Sequence, residues 1–205
     1  MLDYLDHLPK QLRPFLQKKE FCRGEPILHS GEENQNIYLV AKGDAIGYVE
    51  GWNGSLIFVE RYGPGDLFGE LEVFCEGLRT IGITAQTACT VYLLHKQYLL
   101  AWMEQDFSFT QALIRHLAEA MHRYGDNVTQ LQLMTVEERV KKCILTYEAM
   151  GMLDKLDKKA LMAGSMASLR SVNRAVSRLE EEGAVRVRKK KIAVLDRALL
   201  ESGGA

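Results

Sequence analysis

Glycine recurs every few residues from Gly24 through Gly31, Gly43, Gly47, Gly51, Gly54, Gly63, Gly65, Gly69 and Gly77 to Gly82, and no other feature limits the fold so tightly. A stretch interrupted in this way cannot hold a long helix, since each interior glycine costs about 1 kcal/mol relative to alanine. Between the glycines lie short β-prone runs, "NIYLVAKG", "AIGYVE", "SLIFVERYG" and "TVYLL". Such spacing predicts a small all-β sandwich or roll joined by tight turns. Asn53-Gly54 in "GWNGS" is a hairpin signal, because both residues tolerate positive φ, and Pro64-Gly65 turns the chain again.

Beyond residue 95 the pattern changes. Residues 107–134 lack proline and place Leu113, Leu117, Ala120, Tyr124, Val128 and Leu131 at steps of three and four, a narrow apolar stripe on one helical face. The stripe fits a coiled-coil seam and equally a helix laid on its own β domain. Gly125 weakens this helix locally and offers a hinge. "TVEE" at 135–138 is a capping box that starts a further helix, in which Val136, Val140, Ile144 and Tyr147 are predicted to face inward; Gly151 ends it and Asp157 caps the next. Ser168 can cap a helix with Val172, Val176 and Leu179 inside and Arg170, Arg174 and Arg178 spaced four apart outside. Two short strands, "AVRVR" and "IAVL", then flank Lys189, Lys190 and Lys191. A basic helix followed by a basic hairpin is the pattern of a winged helix-turn-helix, with a helix for the major groove and a wing for phosphates.

Charge separates the same regions. Residues 1–134 carry 11 Lys+Arg against 17 Asp+Glu, a net −6, whereas residues 135–205 carry 15 against 10, a net +5. An acidic body with a basic C-terminal third suggests a sensor or scaffold joined to a part that meets a polyanion. The N-terminus lacks the layout of a signal peptide and no apolar run reaches membrane-span length, so a cytoplasmic protein is expected, with no membrane partner. Cys22, Cys75, Cys89 and Cys143 form no C-x-x-C pair, and the five histidines are scattered, so no metal site and no cofactor are expected. Neither a phosphate-binding P-loop nor a nucleophile-histidine signature is present, and an enzyme is not expected.

The segment "FGELEVFCEGLRTIGIT", residues 68–84, sets a Gly-Glu pair and an Arg-Thr pair on either side of a short turn. A guanidinium fork, a hydroxyl and an unshielded glycine amide can together hold a phosphodiester anion, and a carboxylate beside them suits a ribose hydroxyl. An Arg and a Glu near each other are also a common structural ion pair. The order of glycine-rich roll, "PGDLFGELEVF", "LRT", strand, long helix and "SLRSVNRAVSRLEEEGAV" resembles the Crp-Fnr family of bacterial transcription regulators, whose cassette reads F-G-E-L and then P-R-[AST]-A. The resemblance implies that Gly69 offers its amide, Glu70 faces a ribose, and Arg79 with Thr80 holds a cyclic phosphate. Leu78 and Ile81 depart from the usual proline and small residue, and a β-branched Ile81 narrows the phosphate subsite. Aligned on "VEERV", Tyr124 and Gly125 stand where cyclic-AMP sensors of the family carry polar side chains that read adenine. Tyr124 can stack on a flat ligand or fill the pocket with its ring. Cyclic AMP is therefore not expected as the physiological effector, which is either unidentified or dispensable. In an empty pocket Arg79 is expected to pair with Glu70 or another carboxylate.

In sum of these readings the fold class is α+β: a cyclic-nucleotide-binding-like β-roll over 1–106, a helix over 107–134 and a winged helix-turn-helix over 135–205. The resemblance makes the helix a dimerisation element through Leu113, Leu117, Ala120, Tyr124, Val128 and Leu131. It also implies a sequence-specific regulator that binds double-stranded DNA as a homodimer, on an inverted repeat, in company with RNA polymerase. The DNA-facing candidates are Ser168, Leu169, Arg170, Ser171, Arg174, Arg178, Lys189, Lys190 and Lys191. Leu169-Arg170 replaces the family's usual Arg-Glu pair, and Met166 stands where glycine is common, with Gly164 two residues early, so the preceding helix is expected to end sooner. A ligand-binding adaptor whose basic domain docks a protein is the alternative.

Overall fold

The computed structural model describes residues 5–50, 56–188 and 191–202. Asn53-Gly54, Lys189 and Lys190, and the side chain of Leu131, lie outside the described residues. By spatial clustering the chain forms two compact units, Met1–Val49 with Phe58–Arg123, and Glu50–Ile57 with Tyr124–Ala205.

The first unit contains two antiparallel sheets. One has the order β1-β8-β3-β6, from strands Gln17–Phe21 (β1), Cys89–His95 (β8), Asn36–Lys42 (β3) and Leu67–Phe68 (β6). The other has the order β2-β7-β4-β5, from Pro26–Leu28 (β2), Gly82–Ala85 (β7), Ala45–Glu50 (β4) and Leu56–Tyr62 (β5). Period-two alternation in β3 explains how the layers form. Tyr38 and Val40 join Phe68, Ile83 and Val91 in one apolar cluster drawn from both sheets. Ile37 and Leu39, on the opposite face, join a second cluster with Leu8, Leu94, Trp102, Phe109 and Leu113. Trp102 and Phe109 stack with ring centroids 3.6 Å apart. They come from Lys96–Gln105 (helix α2) and Phe107–Leu133 (α3), the helices that cover this face; Glu70–Phe74 (α1) is the short helix inside the cassette.

Of the two alternatives expected for α3, packing on its own β domain accounts for its first turns. Phe109 and Leu113 are each 1% exposed, spent on the first unit's own core. Leu117 and Ala120 are half-buried, and the residues from Met121 to Thr129 are exposed. The helix runs without interruption through Gly125.

The second unit holds Val136–Ala149 (α4), Lys158–Ser165 (α5), Leu169–Glu181 (α6), the hairpin Val185–Arg188 (β9) with Lys191–Val194 (β10), and Arg197–Glu201 (α7). The capping box forms as expected: the Thr135 hydroxyl accepts from the Glu138 amide at 3.3 Å and the Glu138 carboxylate accepts from the Thr135 amide at 2.6 Å. Asp157 accepts from the Ala160 amide at 2.7 Å. Val140, Ile144, Leu161, Val172 and Leu179 are each fully buried. Arg139 ties the unit together, donating from Nε to the Ser165 carbonyl at 2.7 Å and from Nη1 to the Met134 carbonyl at 2.9 Å.

The turn between α5 and α6 explains the displaced glycine. A Cβ on Gly164 would lie 2.7 Å from the Cys143 sulfur, so Gly164 serves the close approach of α4 and α5 and not the turn. Helix α5 ends after Ser165, and Met166 takes the left-handed conformation at φ 50°. The Ala167 amide donates to the Met162 carbonyl at 3.1 Å and the Met166 amide to Ala163 at 3.2 Å, the two bonds of a Schellman stop. A methionine in that conformation carries a Cβ penalty that glycine lacks. Met166 is 69% exposed, so its side chain contributes little packing in return. Met166→Gly is therefore expected to stabilise the second unit by about 0.5–1 kcal/mol, net of glycine's larger chain entropy; thermal unfolding of the two proteins measures it, as a higher midpoint for the variant.

Candidate effector pocket and nucleic-acid interface

The cassette is built on one backbone position. Gly69 stands at φ 87° between β6 and α1, and a Cβ there would lie 2.6 Å from the Asn36 carbonyl and 2.8 Å from the Asn34 side chain. Asn34, 5% exposed, holds this corner. Its Nδ2 donates to the carbonyls of Asn36, at 2.7 Å, and Gly69, at 3.3 Å, while its Oδ1 accepts from the Asn36 amide at 2.9 Å. Asn34 was not singled out from the sequence; the only trace is its place in the polar run "GEENQN" ahead of a strand.

Glu70 follows and is half-buried, with its Oε2 enclosed. Its Oε2 has no hydrogen-bond partner among the described residues. Desolvation pushes its carboxyl up to about 7; the Glu72 and Glu60 carboxylates push the same way, and a backbone hydrogen bond partly opposes. A buried oxygen without a donor is costly, and a ligand hydroxyl is the kind of group that would satisfy it.

Arg79 and Thr80 separate. Arg79 pairs with Glu33, Nη1 to Oε1 at 3.2 Å, on the solvent side, and not with Glu70. Thr80 is 3% exposed, and its hydroxyl donates to the His29 carbonyl at 2.6 Å while accepting from the Glu32 amide at 3.1 Å. Thr80 thus closes the 29–32 loop and its hydroxyl is already engaged. Ile81 leans over Gly47, where a Cβ would meet its Cδ1 at 2.8 Å, and packs against the inter-sheet core. Its bulk is directed into the sandwich. Tyr124 is 41% exposed on α3.

On α3 the apolar stripe differs from the expected one. Leu113 faces the unit's own core, whereas Ile114 at 57%, Met121 at 77% and Val128 at 51% exposure form the outward row. With Leu117 and Tyr124 the steps are three and four, those of a coiled-coil a/d seam. Ile114 and Met121 were missed because each lies beside a residue, Leu113 or Ala120, that extends an equally regular pattern on the neighbouring face.

The second unit presents the basic surface. Ser168 caps α6, accepting from the Ser171 amide at 3.3 Å. Val172, Ala175, Val176 and Leu179 are buried, while Leu169, Arg170 and Arg174 are exposed and Ser171 is half-buried. Among the described residues Arg170 and Arg174 make no ion pair. Arg178 does: its Nη1 lies 2.9 Å from Glu137 Oε2 at the start of α4, which Lys141 also approaches at 3.8 Å. A groove of about 570 Å³ between α4 and α6 is lined by Thr135, Glu137, Lys141, Ser171, Arg174 and Arg178. The Glu180 carboxylate accepts from the Val187 amide at 2.7 Å, fixing β9 to the end of α6. In the hairpin Lys191 pairs with Arg188 and Ala193 with Arg186, so the exposed cations Arg186, Arg188 and Lys191 stand on it. Among the described residues no group of three or more His, Cys, Asp or Glu is placed to hold a metal, and no helix is long and apolar enough to cross a membrane.

Comparison with known proteins agrees with this geometry. Residues 18–106 match the family described as the cyclic nucleotide-binding domain. Over 200 residues the chain is 30% identical to the cyclic AMP receptor protein of Thermus thermophilus, covering 91% of this chain and 88% of that one. It is 27% identical over 198 residues to the CRP-like cAMP-activated global transcriptional regulator of Mycobacterium tuberculosis, covering 92% and 87%. The solved catabolite activator protein of Thermus thermophilus superposes with TM-score 0.54 at 25% identity, covering 98% and 93%. A Crp/Fnr-family structure from Eubacterium rectale superposes with TM-score 0.74 at 16% identity, covering 97% and 96%, a likeness of fold.

Glu70 gives the site a pH signature. Its folded pKa, about 7, lies above the ordinary carboxyl value of 4.5, so the folded state binds more protons than the unfolded state between those values. Its contribution to stability is fully present below pH ~4.5 and is lost as pH rises through about 7. Glu70→Gln is expected to remove that slope and to stabilise the ligand-free protein at pH 8 by on the order of 2 kcal/mol, as measured by urea unfolding across pH 5–8.

Proposed function

Because the chain belongs to the Crp-Fnr family of DNA-binding transcription regulators, we propose that it acts as a homodimer on an inverted repeat, with RNA polymerase as its further partner and with an effector other than cyclic AMP. The observation that carries the reading is the second unit's surface: a capped helix whose apolar face is buried and whose outer face offers Arg170 and Arg174, followed by a basic hairpin. Such a helix suits base edges and such a hairpin suits phosphates.

The outward row on α3 supports the dimer. Ile114, Met121 and Val128 with Leu117 and Tyr124 leave a continuous apolar seam that a second copy of the helix would cover. A two-fold pair of α6 helices then favours half-sites about one helical turn apart, ~10 base pairs.

The cassette fits part of a cyclic nucleotide. Glu70 has a free, buried acceptor for a ribose hydroxyl, and Arg79 is exposed enough to leave Glu33 for a phosphate. The Thr80 hydroxyl is committed to the 29–32 loop, and Gly125 has no side chain with which to read a base. Anchoring without base readout favours a sugar-phosphate ligand held weakly over a selective response to adenine.

Two measurements test this reading. In binding to a selected operator, Arg174→Ala is expected to lower specific affinity by roughly 1–3 kcal/mol while sparing random DNA. Arg178→Ala should cost less, because its guanidinium is engaged by Glu137. Cyclic AMP should leave the wild-type affinity unchanged; a large gain that Arg79→Ala abolishes would overturn the effector assignment, and equal affinity for operator and random DNA would overturn the regulator assignment. Second, Met121→Glu should give a monomer by light scattering, because it buries a charge in the seam, whereas a dimer of unchanged affinity would place the interface elsewhere.

A further inference from the structure

We propose that Leu169 reads the C5-methyl group of a thymine in the major groove, so that each half-site carries a T·A pair facing the start of α6. The inference rests on the reading of the chain as a sequence-specific DNA-binding regulator and adds a base identity to it.

Leu169 is the first residue of α6, directly after its Ser168 cap. Helical Cα–Cβ bonds tilt toward the N-terminus, so a side chain in this position projects past the helix end, at the edge of the packed stripe and one turn beyond its last buried residue, Val172. That stripe is complete without it: Val172, Ala175, Val176 and Leu179 are 0–6% exposed, whereas Leu169 is 47% exposed. In helix-turn-helix docking it is the N-terminal residues of the second helix that reach base edges. Three residues earlier Met166, 69% exposed in the left-handed turn, adds a second apolar group to the same corner.

Single exposed leucines are ordinary on protein surfaces and carry no meaning by themselves. This one stands where the interface meets bases, next to Arg170 and ahead of Arg174, which bring the charge that DNA requires. Leucine has no hydrogen-bonding group, and in the major groove the thymine methyl is the one apolar feature of a base edge. Facing guanine, adenine or cytosine, Leu169 would strip water from a donor or acceptor and return nothing. Discrimination therefore arises both from contact with the methyl and from the penalty at the other bases. Burial of one methyl group corresponds to about fourfold in affinity.

The test uses the purified full chain. Selection from random duplexes first defines the operator, and each thymine is then replaced by deoxyuridine, which lacks only the methyl. At one symmetric position per half-site the wild type should lose about fourfold in affinity, and Leu169→Ala should be insensitive at that position while keeping its affinity for random DNA and its circular dichroism spectrum. Leu169→Arg, which offers a guanidinium fork, should shift the preference there to guanine. Wild-type indifference to deoxyuridine at every thymine, or a loss retained in full by Leu169→Ala, would overturn the proposal while leaving the regulator assignment intact. A selection that enriches no sequence would overturn both.

Discussion

One helix has to serve two apolar environments with a single repeat of 3.6 residues per turn. In α3 the rows that begin at Phe109 and Leu113 close the first unit's core, and the row of Ile114, Met121 and Val128 lies on the adjoining face. Neither row can shift by one position without exposing the core or burying the charged residues between them. The buried Leu113 thus sets the helical phase at which Ile114, Met121 and Val128 present their side chains.

The cassette shows the opposite economy. Its frame is rigid: a left-handed Gly69 under Asn34, and Thr80 bonded to the 29–32 loop. The groups proposed to meet a ligand differ: Glu70 is desolvated with an unpartnered oxygen, whereas Arg79 is paired with the exposed carboxylate of Glu33. A frame that holds without ligand and a carboxyl that is uncomfortable without one are compatible with weak binding of many small hydroxylated anions. Selectivity would then have to come from side chains other than the cassette's.

How much of this was legible in the sequence depends on the range of the signal. The roll, the caps at Thr135, Asp157 and Ser168, and the basic hairpin follow from local chemistry, in which a residue's neighbours in the chain are also its partners in space. Asn34 holding Gly69, Glu33 taking Arg79 and Glu137 taking Arg178 are pairings across 35, 46 and 41 positions, respectively, and nothing local marks them. On α3, Leu113 and Ile114 are both apolar and adjacent, so periodicity alone does not say which is spent on the core. The early Gly164 looked like a misplaced turn residue, and only the position of Cys143 shows that it is a contact residue.

That contact bears on evolvability. With 2.7 Å between the Cys143 sulfur and the place a Cβ would occupy at Gly164, position 164 accepts one residue type unless α4 and α5 move apart. The surface of α6 has the contrary property, because Leu169, Arg170 and Arg174 are exposed and take no part in holding α4, α5 and α6 together. Substitutions on that face are therefore nearly uncoupled from substitutions that alter whether the unit folds. The scaffold's intolerance thus lies where α4 meets α5, and its tolerance on the exposed face of α6, so sequence can drift at the one without loosening the other.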